Sequence, residues 1–336
     1  MVGSIVRSIN SGLGNLCWEF QRHGLIDKAL IIKEEKGDIM FPERFPNGRI
    51  SSAVHFSNND MEWLLDGIDT LLIFETAYRW DIVSVAKKRG IRIVIMPMHE
   101  FIPEVRDADI WLCPSDLEMK LPVVGEKIRI NVPVNTDKIK WRLREKAEHF
   151  IHNAGGGGIM GRNGTNELVS ALKYIDDDFR LTIRSQVYKY GVDDNRVEIR
   201  HENLENYWDL WDNGDVLVLP DKFAGLSLPI QEAFASGMMV MTTNKKPFSD
   251  WLPNDPLIQC GMMVNNGRYD MAVISPKLLA DSIKNWIGKD IKEYSLAGKK
   301  WAEENSWEVL LPRYKEILYG QKSTQKDSNM EDISDN

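Results

Sequence analysis

The chain has 336 residues, 43% hydrophobic and 27% charged, with a formal net charge of −8. That length suits two domains of about 150 residues each, and the acid excess excludes a surface built mainly to hold nucleic acid, though not a local basic patch. The three cysteines, Cys17, Cys113 and Cys260, are widely spaced among apolar neighbours; this excludes zinc spacing and a paired disulfide framework and leaves reduced, buried thiols.

The opening segment MVGSIVRSIN carries no long apolar run followed by a cleavage site, so no secretory signal is read there. No stretch approaches the ~18 apolar residues of a membrane-spanning helix. A soluble, cytoplasmic location is the expectation.

Short β-branched runs alternate with helix-period stretches from end to end. Residues 3–8 read as a strand, followed by a glycine turn and a helix starting near Asn15, with Leu16, Phe20 and His23 at helical spacing. Residues 28–33 are the next strand. A strand at 70–74 (TLLIF), a helix over 80–89 closed by Gly90 and a strand at 91–96 (IRIVIM) form a strand–helix–strand unit. Short strands follow at 109–112 and 128–132. The pattern is that of a parallel sheet covered on both faces.

After Asn135 the composition shifts to a basic stretch, KIKWRLREK at 138–146, read as a solvated helix face near a hinge. A second cycle then begins: strand 150–154, a glycine-rich loop, a helix to Tyr174, strands at 180–184 and 197–199, a helix through Trp211 and a strand at 216–219. The fold class expected is α/β, with two Rossmann-like doubly wound domains facing a central cleft. Their expected limits are 1–135 and 136–320, the second including a closing C-terminal helix over 306–319. The tail 321–336 has almost nothing to bury and is expected to be disordered.

Three loops could carry chemistry. Ser8-Ile-Asn-Ser-Gly12-Leu-Gly14-Asn15 links a strand to a helix, where backbone N–H groups and the helix dipole favour an anion. A tight turn wants glycine equally, and the full dinucleotide fingerprint is absent because no third glycine follows in place. The loop around Gly155–Gly158, Gly161, Arg162, Asn163 and Gly164 is richer in glycine than a turn requires. Thr165 or Asn163 could cap its helix, and Arg162 could pair bidentately with a diphosphate.

The third loop says most. Strand DVLVLP ends at Pro220 and leads through Lys222, Ala224, Gly225, Leu226 and Ser227 to Pro229, which suits a first helical turn; Gly237 suits the end of that helix. Residues 225–227 then present backbone N–H groups at a helix N-terminus. Glu232 lies about one turn inside, where a carboxylate can accept both hydroxyls of a ribose.

The run GLSLPIQEAFASGMMVMTT at 225–243 resembles the donor-site signature of retaining family 4 glycosyltransferases, GT-B enzymes related to glycogen synthase. The likeness extends to GRNGTNELVSA at 161–171, LENYWDLWDNGDVLVLP at 204–220 and PVN at 133–135. It covers the second half nearly throughout, and the first half only in its glycine loop and layout. By that resemblance Glu232 would bind the ribose and Arg162 the diphosphate. Gly225, Leu226 and Ser227 would hold donor phosphates or sugar through backbone amides, and Gly12 and Gly14 would close on the diphosphate from the other domain. His99, after strand IRIVIMP, would face the transferred sugar. His99, Arg162 and Glu232 form the expected catalytic set.

Two positions depart from the family pattern. Its signature has two glutamates separated by seven residues, and the first falls on Ala224; Lys222 stands two residues earlier and could take over a phosphate or sugar contact. The family's lysine at the helix start falls on Asn163, which with Gly164 completes the donor loop. Arg184 and Gln186, ending strand LTIRSQ, sit where base or phosphate could be met. Glu75, ending TLLIF, points by topology into the same crevice, or is a surface carboxylate.

The implied reaction moves a hexose-type sugar from a nucleotide-sugar to an acceptor, with retention implied by family alone. Both domains would close and exclude water, with backbone amides and Arg162 stabilising the leaving diphosphate. No Asp-x-Asp motif stands in a suitable place, so no metal and no cofactor beyond the nucleotide-sugar substrate is expected. Saccharide or glycoconjugate acceptors rank above nucleic acid on charge. Two rival readings are a GT-B nucleotide-sugar epimerase, which needs paired acid and base carboxylates, and a non-catalytic nucleotide-sugar-binding protein, to which Ala224 lends support.

Overall fold

A computed structural model describes residues 1–34, 39–98, 104–155, 161–201, 204, 206–211, 213–265 and 270–320. The tail 321–336 lies outside them. The strongest apolar runs become strands buried along their whole length: VGSIV, TLLIF, VLVL and MVMT. Burial on both faces is what a parallel sheet wrapped by helices demands.

The first sheet holds β1 (Val2–Val6), β2 (Lys28–Ile31), β3 (Gly48–Ile50), β4 (Thr70–Phe74), β5 (Arg92–Met96), β6 (Asp107–Cys113) and β7 (Val124–Arg129), in the order β3-β2-β1-β4-β5-β6-β7. Every pairing in it is parallel. The second holds β8 (His149–Gly155), β9 (Arg180–Ser185), β10 (Val197–His201), β11 (Val216–Leu219) and β12 (Met239–Thr242), ordered β10-β9-β8-β11-β12 and again parallel. In each sheet the chain runs outward from its first strand and then returns to that strand's other side. The switch points are therefore β1/β4 and β8/β11, and open α/β sheets bind ligands beyond the carboxyl ends of such strands.

Helices α1 (Gly12–Arg22), α2 (Asn58–Leu65) and α3 (Asp81–Lys88) serve the first sheet; α4 (Thr165–Ala171), α5 (Leu228–Ser236), α6 (Pro276–Lys284) and α7 (Lys292–Glu304) serve the second. A short antiparallel hairpin, β13 (Met262–Asn265) and β14 (Asp270–Val273), follows β12. The last helix, α8 (Trp307–Tyr319), crosses back to the first sheet. Its Trp307 and Tyr314 rings meet Phe20 edge-on at 5.3 and 5.1 Å, and Phe20 meets Phe74 at 4.9 Å. The closing carbonyls of α8 are capped from that sheet: Thr70 Oγ1 donates to Leu318 O at 3.0 Å, and Arg92 Nη2 to Ile317 O and Leu318 O. A cation at a helix C-terminus satisfies orphan acceptors and the dipole together.

Several expectations shift. The strand expected at 128–132 is β7, Val124–Arg129, set earlier because its partners on β6 begin at Asp107. The helix expected through Trp211 is a 3-10 turn, Tyr207–Trp211. The basic run 138–146 forms no helix: Arg144 is buried and donates to Gly214 O, Arg142 O and Trp211 O at 3.0, 2.9 and 3.2 Å. One guanidinium thus fixes the loop leading into β11. Among the described residues no helix is long and apolar enough to cross a membrane.

Candidate functional site

The loop from β11 to α5 is built tightly. Ser227, the N-cap of α5, has φ of 53° and makes no side-chain cap. A non-glycine residue held in the left-handed region marks local strain of the sort that gathers at binding sites. Pro229 sits in the first turn, as its fixed φ and missing N–H allow. Gly237 closes the helix at φ 87°, and a Cβ there would meet Arg142 O at 2.3 Å. Residues 230–236 are all buried, so α5 is embedded, packed on β12 and α7 with its Leu228 against the core of the first half. Leu226 packs into the core of the first half, among Phe20, Trp307 and Tyr314.

Glu232 lies one turn inside α5, at the junction of the two halves. Tyr207 Oη donates to its Oε2 at 2.7 Å, and the Asn15 side chain of α1 reaches the same phenol. Burial pushes the Glu232 carboxyl up to about 8; Tyr207 and Trp211 oppose the rise, and the Glu19 carboxylate adds to it. Glu19 is itself buried and held by Arg22 Nη2 at 2.7 Å. Beside these groups lies a cavity of about 20 Å³, lined among others by Asn15, Glu19, Asn135, Gln231, Glu232 and Trp307, room for about one water. Gln231 is fully buried there with both amide atoms lacking a hydrogen-bond partner.

The α4 loop packs against the same segment. Gly164 has φ of 68°, and a Cβ on it would meet Pro220 O at 2.3 Å; only glycine permits that approach. Lys222 N donates to Arg162 O at 2.6 Å, and Lys222 Nζ pairs with Glu167 at 2.7 Å. Thr165 bonds His152, which also bonds Val218 O, and burial lowers that histidine to about 4. Asn163 is buried and donates Nδ2 to Ala154 O at 2.7 Å, tying the loop to β8. Ala224 is buried in an apolar cluster with Leu219 and Phe234.

From the first half, Gly12 and Gly14 lie inside the first turn of α1, which begins earlier than the spacing suggested. Ser11 caps it through Gly14 N at 3.1 Å. A Cβ on Gly14 would strike Ile9 O at 2.1 Å, whereas one on Gly12 would meet nothing within 4 Å. Gly14 is thus explained by packing, and Gly12 leaves open space. Arg184 is buried on β9, its Nη1 donating to Asp209 O at 3.3 Å, and Gln186 is exposed just beyond. Glu75 is half-buried directly after β4. His99 lies outside the described residues. Of the chain's Asp-x-Asp pairs, Asp107 and Asp109 sit at the start of β6, opposite this edge, engaged with Lys87 and Ile93 N at 2.7 Å each, and Asp176 and Asp178 lie just before β9, again at the opposite end of the strands.

Sequence reasoning missed Tyr207, Gln231 and Arg44. Arg44 stacks between Trp18 and Phe41 at 4.5 and 4.3 Å and donates to Asn10 in the glycine loop at 2.8 Å. The aromatic cluster YWDLW at 207–211 was the available signal for Tyr207.

No protein-family model matches the sequence, and no curated protein matches it in sequence. Solved structures match it in fold. HepE from Anabaena, in complex with UDP, has a TM-score of 0.68 at 10% identity, over 95% of this chain and 100% of that one. Sucrose-phosphate synthase from Thermosynechococcus elongatus has 0.64 at 12% identity, over 94% and 98%. Trehalose-6-phosphate synthase OtsA has 0.60 at 9% identity, over 94% and 99%. At such identities the likeness is one of fold, and the fold is GT-B: two Rossmann-like domains meeting at the carboxyl edges of their sheets.

Proposed function

We propose that the chain is a glycosyltransferase that binds a nucleotide-sugar on its second half and passes the sugar to an acceptor on its first. The observation that carries this reading is Glu232, a carboxylate one turn inside an embedded helix, directly behind a strained loop of backbone amides and facing the other half. Glu232 would accept the two ribose hydroxyls once Tyr207 moves aside. The amides of residues 225–227 and the Arg162 guanidinium would take up charge on the departing diphosphate, pre-oriented and away from water. Lys222, held by Glu167, stands ready to exchange that carboxylate for a phosphate oxygen. A hexose as the transferred sugar, retention of configuration and independence of metal belong to this proposal.

The buried, apolar setting of Ala224 favours a second reading, a protein that binds nucleotide-sugars without transferring them. Incubation with UDP-, GDP- and ADP-hexoses, with release of free nucleoside diphosphate as readout and EDTA present in half the samples, separates the two. Release that survives EDTA and is lost at least about tenfold in Glu232→Ala supports transfer. Binding without release by any donor establishes the second reading, and absence of both sinks the proposal.

A further inference from the structure

Helix α5 sends two polar side chains to the wall of the cavity at the junction, and Glu232 is only one of them. Its neighbour Gln231 is fully buried, and neither the oxygen nor the nitrogen of its amide has a hydrogen-bond partner. Across the junction Trp307, the first residue of α8, repeats the pattern: it is 4% exposed, and its indole Nε1–H is buried with no acceptor. Folded chains leave few such groups unpaired, because each forfeits the bonds it made with water. Here two of them, from two different helices, stand on the wall of one cavity.

The cavity decides what can satisfy them. Its volume of about 20 Å³ suits a single water and is too small for a sugar, a phosphate or any organic group. A polar wall of this kind holds water, where an apolar one of the same size stays dry. A cation fits the wall less well. The Trp307 indole can only donate, and the Glu19 carboxylate is already matched by Arg22 at 2.7 Å. Arg22 also donates to Asn135 Oδ1 at 2.9 Å, and burial keeps Glu232 protonated at neutral pH. A water offers the indole an acceptor and offers the amide both an acceptor and a donor.

The walls come from both halves of the chain. Asn15 and Glu19 stand on α1 and Asn135 in the linker, while Gln231 and Glu232 stand on α5. The His23 ring stacks on Trp307 at 4.0 Å with 11° between the planes, which fixes the indole. The cavity therefore exists only while α5 lies against α1 and α8.

We propose that this cavity is a hydration site in which one ordered water joins the Gln231 amide to the Trp307 indole and ties the two halves together. The site stands apart from the glycosyltransferase reading and needs nothing from it. Its water is a component of the closed arrangement, taken up when α5 docks and given back when the halves part.

The test is NMR on the full chain with the tryptophan indoles labelled at nitrogen. Trp307 is identified among the eleven indole signals by its loss in Trp307→Phe. Expected is a cross-relaxation peak between the Trp307 indole proton and water, with the sign of a long-lived dipolar contact and not of proton exchange. Gln231→Met, close to the parent in size but unable to bond, should lose that peak. Absence of the peak in the parent, a peak of proton exchange alone, or an unchanged peak in Gln231→Met overturns the proposal. A crystal structure of the parent gives the same decision without Trp307→Phe, should that variant not fold. Expected there is one water at about 2.7–3.2 Å from both Trp307 Nε1 and a Gln231 amide atom. A dry cavity, a cation in it, or a direct bond from the amide to Glu19 or Asn135 overturns the site.

Discussion

At the scale of single residues, Glu232 shows how one carboxyl couples stability to pH. Its ordinary value is 4.5, and burial, reinforced by Glu19, raises it to about 8. The folded chain therefore keeps a proton that the unfolded chain has lost. Stability from this group is fully present below pH 4.5 and is lost as pH rises toward 8, the unfolded state binding fewer protons throughout that window. Glu232→Gln removes the titration and keeps an acceptor for Tyr207. It should be more stable than the parent by about 4 kcal/mol at pH 7.5 and nearly equal to it at pH 4.5, as measured by urea unfolding at both values. In the parent, UDP affinity should climb between pH 6 and 8, since a ribose diol needs the ionised carboxylate. Flat UDP affinity over that range would separate Glu232 from the nucleotide. The position of Glu232 was legible because Pro229 and Gly237 bracket its helix in the sequence. Tyr207 was not, because its contact with Glu232 spans 25 residues and no local spacing encodes it.

At the scale of elements, legibility followed burial. Strands β1, β4, β5, β11 and β12 are continuous apolar runs and could be read directly, whereas β3 is three residues with two exposed and gives no pattern. Helix α2 is preceded by a signal in the sequence, the capping box Ser57-x-x-Asp60, which leads into the polar start NNDMEW. Asp60 anchors that helix. Its Oδ2 accepts from Ser52 N and Oγ and from Ser57 N and Oγ at 3.0, 2.6, 3.0 and 2.8 Å, and Arg49 pairs with Oδ1 at 3.3 Å. Burial opposes its ionisation, but the hydrogen bonds from Ser52 and Ser57 outweigh it and hold the carboxyl well below the usual range. A depressed value contributes stability above the ordinary 3.8 that is lost as pH falls below it. Asp60→Ala, which unties both serines and Arg49, should cost about 3 kcal/mol at pH 7 and leave UDP binding untouched. Denaturant unfolding checks the first and a UDP titration the second; a loss under ~0.5 kcal/mol would mean that the cap is replaceable by water.

At the scale of the whole molecule, the two sheets are not independent bodies. Helix α8 leaves the second half to complete the core of the first, Leu226 of the β11–α5 loop packs into that same core, and the linker pairs with the approach to α8 through Val134 N and Asn305 O at 2.9 Å. Among the described residues, a polar tie across the cleft is the chain Asn15–Tyr207–Glu232. Its phenol occupies the carboxylate a ribose would need, beside a cavity too small for any sugar. The described state is thus closed on itself, and on the proposed reading Tyr207 stands where a nucleotide would enter. Tyr207→Phe removes one hydroxyl and leaves Glu232 buried without that donor, which destabilises the closed arrangement by about 1–3 kcal/mol. The halves should part more readily, so the radius of gyration in solution should rise above the compact value of about 20 Å, as small-angle scattering would register. UDP no longer competes with the phenol, and its affinity should increase about five- to tenfold by calorimetry, since 1.4 kcal/mol corresponds to a factor of ten. If instead Tyr207→Phe keeps the parent's radius and binds UDP more weakly, Tyr207 orients Glu232 for the nucleotide instead of guarding it, and the closed state is the binding-competent one.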